Sequence, residues 1–250
     1  MNISTALRGS TALVTGATSG IGKAVAQGLA RLGAEVVLHG RDQARGEALV
    51  KEIAAEGGTA RFVAADLTDA EDTLHLASQA GDVDILVSNA GLYQFTPTPA
   101  TDAASFDRQI AVNTRAPFLL VGALAPGMVQ RGQGSIVLVG SSAARMPAPV
   151  GAAYGASKAG VEILTRYWAT EFGPSGVRVN AVSPGPVHTE GTSAMLGEHT
   201  AVLDKTNARG RAGDPSEIAD IVSFLVSPAS SYVNGSILFA DGGELSALPN

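Results

Sequence analysis

Along this chain, short runs of successive apolar, largely β-branched residues alternate with longer stretches whose apolar positions recur at helical spacing. The short runs are Thr11–Thr15, Glu35–His39, Ala60–Ala64, Asp84–Ser88, Ser135–Gly140, Arg178–Val182 and Ser236–Ala240. Ile136-Val137-Leu138-Val139 is apolar at consecutive rather than alternate positions, the pattern of a strand covered on both faces. Between the runs, helices are predicted over about 22–32, 43–56, 104–130, 152–173 and 215–225. Strand–helix alternation of this kind requires right-handed crossovers between parallel strands. The pattern predicts an α/β fold, a doubly wound parallel sheet of about seven strands with helices on both faces.

No linker, low-complexity tract or tandem repeat interrupts it, so residues 1–250 read as a single domain. The least regular stretch is about 184–214, where Gly, Pro, Ser and Thr surround the apolar pair Met195-Leu196. A long, weakly patterned connection in a compact domain is usually functional, and this one is expected to be a substrate lid.

Composition narrows the classes of function. Hydrophobic residues make up 45% of the 250 and charged residues 16%, enough to bury a sizeable core. The 17 basic and 23 acidic residues leave a net charge of -6, which argues against nucleic acid and against an anionic membrane surface. There is no cysteine, and His39, His75, His188 and His199 lack a ligand spacing, so no metal site is expected. The apolar stretch of about 116–129 is interrupted by Pro117 and Pro126, and no basic-then-apolar leader is seen. The expectation is a cytoplasmic protein with no membrane span.

Candidate chemistry begins after the first strand, at Thr15-Gly16-Ala17-Thr18-Ser19-Gly20-Ile21-Gly22, which leads into helical spacing. Glycines at a strand-to-helix turn let backbone amides approach a pyrophosphate, and the helix N-terminus adds unpaired N–H groups and partial positive charge. Further on, Tyr154 and Lys158 stand four apart in a helical stretch and so share a face. An ammonium roughly 5 Å from a phenol at an effective dielectric of 20 contributes about 3 kcal/mol, which would lower the phenol by about two pKa units.

With these residues the chain resembles the short-chain dehydrogenase/reductases, which carry T-G-x-x-x-G-[IL]-G at the turn. Asp66-Leu67-Thr68, Ser88-Asn89-Ala90-Gly91, Val112-Asn113, Tyr154-Gly155-Ala156-Ser157-Lys158 and Ser183-Pro184-Gly185 follow in family order, Ser88 replacing the first Asn of the family's N-N-A-G. The likeness covers essentially the whole chain and is strongest to the 3-oxoacyl-carrier-protein reductase-like members. It implies a Rossmann-type fold and a nicotinamide cofactor held by Gly16, Thr18, Ser19, Gly20, Ile21 and Gly22 at the turn. Asp66 and Leu67 would receive the adenine; Asn89, Ala90 and Gly91, with Pro184, Gly185, Val187 and Thr189, would complete the cofactor site.

The resemblance further implies that Tyr154 is the general acid in reduction and the base in reverse, with Lys158 also bonding the nicotinamide ribose. It makes Asn113 the holder of a water leading protons towards Lys158. A hydroxyl must hold the substrate oxygen, and Ser141 and Ser142 stand together at the end of a strand. The family's spacing prefers Ser141, leaving Ser142 to cap the turn or touch substrate. His188 is left out of the mechanism as a solvated loop residue.

At the second strand end, Gly40 stands where an acid would bond the ribose of NAD, and Arg41 follows, suiting the 2'-phosphate of NADP. Asp42 argues the other way, so NADP is expected with NAD possible. The chain is then expected to be a ketoreductase of a small or medium ketone or 3-oxo compound. The alternatives are an NAD-dependent alcohol or polyol dehydrogenase and a non-catalytic nucleotide-binding regulator. Substrate contacts are expected from Tyr93, Phe95, Arg145, Met146, Thr192, Ser193, Met195, Leu196 and His199. Helices of about 104–130 and 152–173, which in relatives pack against symmetry mates, imply a homotetramer.

Overall fold

The apolar runs become strands β1 (Thr11–Val14), β2 (Glu35–Gly40), β3 (Thr59–Ala64), β4 (Ile85–Ser88), β5 (Gly134–Val139), β6 (Val177–Pro184) and β7 (Ile237–Ala240). In this computed structural model, which describes residues 6–94, 96–147 and 151–244, they form one sheet in the order β3-β2-β1-β4-β5-β6-β7. Every neighbouring pair is parallel, for example Leu13 opposite Val37 on one side and Leu86 on the other. The strand order reverses between β1 and β4, and at such a switch point ligands bind beyond the carboxyl ends of the strands.

Successive strand residues serve opposite faces, which explains why the runs are apolar throughout. Val14, Leu38, Val137 and Val182 pack with Val25 and Leu29 of α1 (Gly20–Arg31) and Ile218 and Val222 of α8 (Pro215–Val226). Leu13, Val37, Leu86 and Ile136 pack on the other face with Leu76 of α3 (Ala70–Ala80), Leu120 and Met128 of α5 (Ala116–Arg131), and Trp168 of α6 (Ala152–Phe172). Both layers of helix are thus present, and the chain is a single Rossmann-type domain. The remaining helices are α2 (Gln43–Ala55), α4 (Ala103–Ile110) and α7 (Glu190–Leu196).

Two elements depart from the pattern-based expectation. Helix α3 was not predicted, because its sequence is mostly polar; Asp69 starts it by accepting the Asp72 N–H. The prolines at 117 and 126 do not interrupt the apolar stretch, since α4 and α5 run as one helix, Ala103–Arg131, through a π-helical turn at Ala111–Arg115. Pro117 has no N–H for the carbonyl four residues back, that of Asn113, and its ring would crowd that carbonyl; a wider turn relieves both. By length and composition this helix could cross a bilayer. Here Ala116, Leu120, Val121, Ala125 and Met128 are buried inside the domain.

Candidate active site

A cavity of about 850 Å³ lies along the carboxyl ends of the strands, and most of the motif residues meet in it. The turn after β1 forms one end. Gly16 has a left-handed φ of 64°, and a Cβ there would come within 2.9 Å of Ala90; one on Gly22 would come within 2.1 Å of the Gly16 carbonyl oxygen. Only glycine fits this close meeting of turn and helix. The turn is tied down from two sides. Thr15 Oγ1 accepts the N–H groups of Asn89 and Ala90 at 3.0 Å, while Asn89 Nδ2 donates to the carbonyls of Thr15 (2.9 Å) and Gly16 (3.2 Å). His39 Nδ1 accepts the Gly16 N–H at 3.2 Å, and its Nε2 lies 3.1 Å from the Ala65 carbonyl oxygen. These bonds require the neutral Nε2–H tautomer, and burial keeps the imidazole pKa below its ordinary value. No side chain caps α1, so its first-turn N–H groups remain for a ligand beside Ser19, Gly20 and Ile21.

Beyond the turn, Thr18, Arg41, Asp66, Leu67 and Thr68 line the cavity. The Thr68 N–H donates to Asp66 Oδ1 at 2.9 Å and holds that carboxyl below its usual pKa. A side chain at position 40 would press on Thr18, with its Cβ 2.7 Å away. Asp42 does not line the cavity: its carboxylate caps α2, accepting the Arg45 N–H at 3.1 Å.

At the other end Ser141 follows β5, and Tyr154 and Lys158 extend from α6 into the same cavity. Lys158 is buried and its Nζ donates to the Val139 carbonyl at 2.8 Å, 5.9 Å from the centre of the Tyr154 ring. Tyr93 meets that ring edge-on, with centres 6.2 Å apart. Burial pushes the Tyr154 phenol up to about 12, with the Ser141 hydroxyl opposing the rise. Burial also pulls the Lys158 ammonium down to about 8. In the protein alone, desolvation dominates the Tyr154 phenol, and the Lys158 ammonium is engaged by the Val139 carbonyl.

Two further expectations change. Ser141, not Ser142, caps the turn at Ser142–Ala144, its Oγ accepting the Ala143 N–H at 3.2 Å. Asn113 does not line the cavity, and its amide is fully engaged: Oδ1 accepts the Leu92 N–H at 2.7 Å, and Nδ2 donates to the Leu92 carbonyl (2.7 Å) and Ser157 Oγ (2.9 Å). Through these bonds it clamps the 91–93 segment. Gly22 also lies outside the lining, packed behind the turn.

At the end of β6 and just beyond it, Pro184, Gly185, Val187 and Thr189 line the cavity, and Thr189 caps α7 by accepting the Thr192 N–H at 3.0 Å. His188 is not merely solvated: its Nε2 lies 3.1 Å from Asp204 Oδ1, tying this loop to the segment after α7. Of the expected substrate contacts, Tyr93, Thr192, Met195 and Leu196 line the cavity, whereas Ser193, His199, Arg145 and Met146 do not. Arg145 is turned inward, its Nε 3.5 Å from the buried Glu162 carboxylate and its guanidinium over the Phe239 ring. Phe95 lies outside the described residues. His39, Val202, Leu203, Thr206 and Glu244 were not foreseen in the lining; for His39 the signal was a polar residue closing the apolar run Val36-Val37-Leu38.

The doubly wound sheet, the glycine turn and the Tyr–Lys pair at the strand ends define a dinucleotide-binding oxidoreductase acting on CH–OH and C=O groups. A family profile described as enoyl-(acyl carrier protein) reductase matches residues 16–244. Galactitol 2-dehydrogenase (L-tagatose-forming) of Cereibacter sphaeroides is 40% identical over 245 residues, 95% of each chain. A solved structure described as a short chain dehydrogenase/reductase family protein is 48% identical, with a TM-score of 0.91 over 97% of this chain and 100% of that one. The structure of a 3-oxoacyl (acyl-carrier-protein) reductase from Agrobacterium tumefaciens C58 with NADP bound is 36% identical, with a TM-score of 0.91 over 96% of each chain. The chain belongs to the short-chain dehydrogenase/reductase family.

Proposed function

We propose that this chain is an NADP(H)-dependent reductase of a small or medium ketone, with Ser141, Tyr154 and Lys158 as its catalytic residues. The observation that carries this reading is their convergence at the end of β5 in the cavity that also holds the glycine turn. The cavity suits a dinucleotide along its length: the open N-terminus of α1 for the pyrophosphate, Asp66 and Leu67 for the adenine, and Asn89, Ala90 and Gly91 beneath the middle. Lys158 would bond the nicotinamide ribose, and Val187 and Thr189 would hold the carboxamide. When bound, the cofactor supplies the hydride. Ser141 holds the carbonyl oxygen, Tyr154 gives it a proton, and the Lys158 ammonium favours the phenolate that remains. Asn113 acts through Leu92 as a positioning residue.

NADP is preferred because Arg41 lines the cavity while Asp42 is committed to capping α2, which removes the acidic competitor for the ribose. NAD remains the alternative cofactor. The likeness to a galactitol dehydrogenase favours a second reading, oxidation of a polyol with NAD. A regulator without catalysis would have no need of the assembled Ser141, Tyr154 and Lys158. We further propose that 184–214 works as a substrate lid, since α7 and the 3₁₀ stretch Gly197–Lys205 contribute Met195, Leu196, Val202 and Leu203 to the cavity. A homotetrameric, cytoplasmic enzyme completes the reading. The deciding experiment measures NADPH and NADH consumption over a panel of ketones, and the reverse reaction over polyols. Ketone reduction faster with NADPH supports the first reading; oxidation of polyols with NAD and no ketone reduction replaces it with the second.

A further inference from the structure

The second position of α7 holds a glycine that its own backbone does not require. Gly191 has no left-handed φ, and in a helix alanine is favoured over glycine. What excludes a side chain there is Tyr93. A Cβ on Gly191 would run into the Tyr93 phenolic oxygen, whereas the next ring atom, Cζ, would stand at 3.6 Å, an ordinary contact. Gly191 thus leaves a slot that fits one hydroxyl, and both walls of the slot are fastened. The Thr189 N–H donates to Thr192 Oγ1 at 2.9 Å and the Thr192 N–H to Thr189 Oγ1 at 3.0 Å, which fixes the start of α7. The Arg45 guanidinium donates to both the Glu190 carboxylate and the Thr18 carbonyl, tying the same end of α7 to the glycine turn. On the Tyr93 side, Asn113 holds both backbone groups of Leu92. Gly151, just before α6, lies so close to the following segment that a Cβ there would stand 2.8 Å from the Thr96 carbonyl oxygen.

Between these walls the Tyr93 ring reaches Tyr154, the two planes standing at 81° with centres 6.2 Å apart, a favourable edge-to-face arrangement. With the backbone held on each side of Tyr93, a push on its phenolic oxygen is relieved by turning the ring or by lifting α7. Turning the ring changes its packing on Tyr154. Tyr93 does not supply a second acid: burial holds its phenol above the ordinary tyrosine pKa, and charge on it would oppose a phenolate at Tyr154. Gly191, Tyr93 and Tyr154 all line the cavity. We propose that Tyr93 is a positioning residue for Tyr154, seated in the slot that Gly191 leaves in α7, so that one side chain sets both the placing of α7 over the cavity and the aim of the proton donor. This rests on the reading of Tyr154 as the proton donor and names the residue that aims it.

The test is a double-mutant cycle of Gly191→Ala, Tyr93→Phe and the two together. Steady-state kinetics are measured with ethyl acetoacetate and NADPH, and with the fastest substrate of the ketone and polyol panel. Gly191→Ala is expected to lower kcat by about ten- to a hundredfold, the cost of misplacing a reacting group by about 1 Å, with KM for NADPH nearly unchanged. In Tyr93→Phe, whatever its own rate, the clashing oxygen is gone, so adding Gly191→Ala should change kcat by no more than about twofold. A loss that persists undiminished in the Tyr93→Phe background, or no loss in Gly191→Ala itself, overturns the proposal. So does a loss carried by KM with kcat unchanged, which would make Gly191 a binding contact. Should Gly191→Ala not fold, Tyr93→Leu decides: removing the ring that bears on Tyr154 should lower kcat by at least about tenfold without raising KM for NADPH, and an unchanged kcat overturns the proposal. Activity kept in Tyr154→Phe overturns the proton-donor reading and this one with it, a result distinct from a cycle that shows no coupling.

Discussion

Tyr154 and Lys158 show how far one residue's chemistry depends on its surroundings. Four residues apart on a helix, they share a face, yet the fold buries Lys158 and half-buries Tyr154, and desolvation moves the phenol and the ammonium towards their neutral forms. Tyr154→Phe keeps the ring and removes the transferable proton. It should lower kcat by about 10²–10⁴-fold while leaving NADPH affinity, read by fluorescence titration, nearly unchanged. Lys158 makes a prediction for stability. Its folded pKa of about 8 lies below the ordinary lysine value of 10.5, so between those values the unfolded chain binds a proton that the folded chain does not. Stability should therefore rise with pH across that window, and thermal melts of the parent should gain on those of Lys158→Met from pH 8 upwards. A gap between the two that is constant with pH would mean that the ammonium is not buried in solution. Arg41→Ala should weaken NADPH by about ten- to a hundredfold, change NADH much less, and lose part of its effect in high salt; equal weakening of both cofactors would mean that Arg41 does not read the phosphate.

Among the elements, the helix through 103–131 is the one whose irregularity reaches the site. Its π-helical turn contains Asn113, whose amide clamps both backbone groups of Leu92, next to Gly91 and Tyr93 in the cavity lining. Pro117→Ala restores a donor for the Asn113 carbonyl and removes the ring that crowds it, allowing the turn to tighten into an α-helix. The expected result is a stability unchanged or raised, together with a fall in kcat of about ten- to a hundredfold as Leu92 and Tyr93 shift. Full activity in a stable Pro117→Ala protein would show that the turn does not position the site.

For the whole molecule, the informative surface is apolar. Phe106, Phe118, Ile163 and Tyr167 are exposed on α4, α5 and α6, Tyr167 to 69%. Phe224, Tyr232 and Phe239 are exposed elsewhere, Tyr232 completely. Large exposed apolar side chains commonly mark association surfaces, and those on α4, α5 and α6 suit an interface between copies of the chain in a symmetric tetramer. Light scattering at micromolar concentration should give the mass of four chains. The double substitution Phe118→Lys with Tyr167→Lys should reduce it to two while leaving the melting transition cooperative. A parent that scatters as a monomer would remove the tetramer.

The local pattern alone determined the sheet, its parallel strands and the position of the glycine turn, because these follow from periodicity and from glycine's backbone freedom, which are properties of neighbouring residues. It also placed Tyr154 and Lys158 on one helical face. The tertiary structure decided what depends on distant partners. Asn113 was legible as a polar residue in a helix, but its engagement with Leu92 and Ser157 arises only when segments 21 and 44 residues away pack against it. Asp42 read as a possible ribose ligand until α2 formed and needed its carboxylate as a cap. Arg145 read as a substrate contact until Glu162 and Phe239 drew it inward. Glu244 gave no signal, since its strand end meets Ser142 and Gly185 only after β5, β6 and β7 lie side by side. Electrostatic environment is set by everything within a few ångströms, and sequence order does not contain that information until the chain has folded.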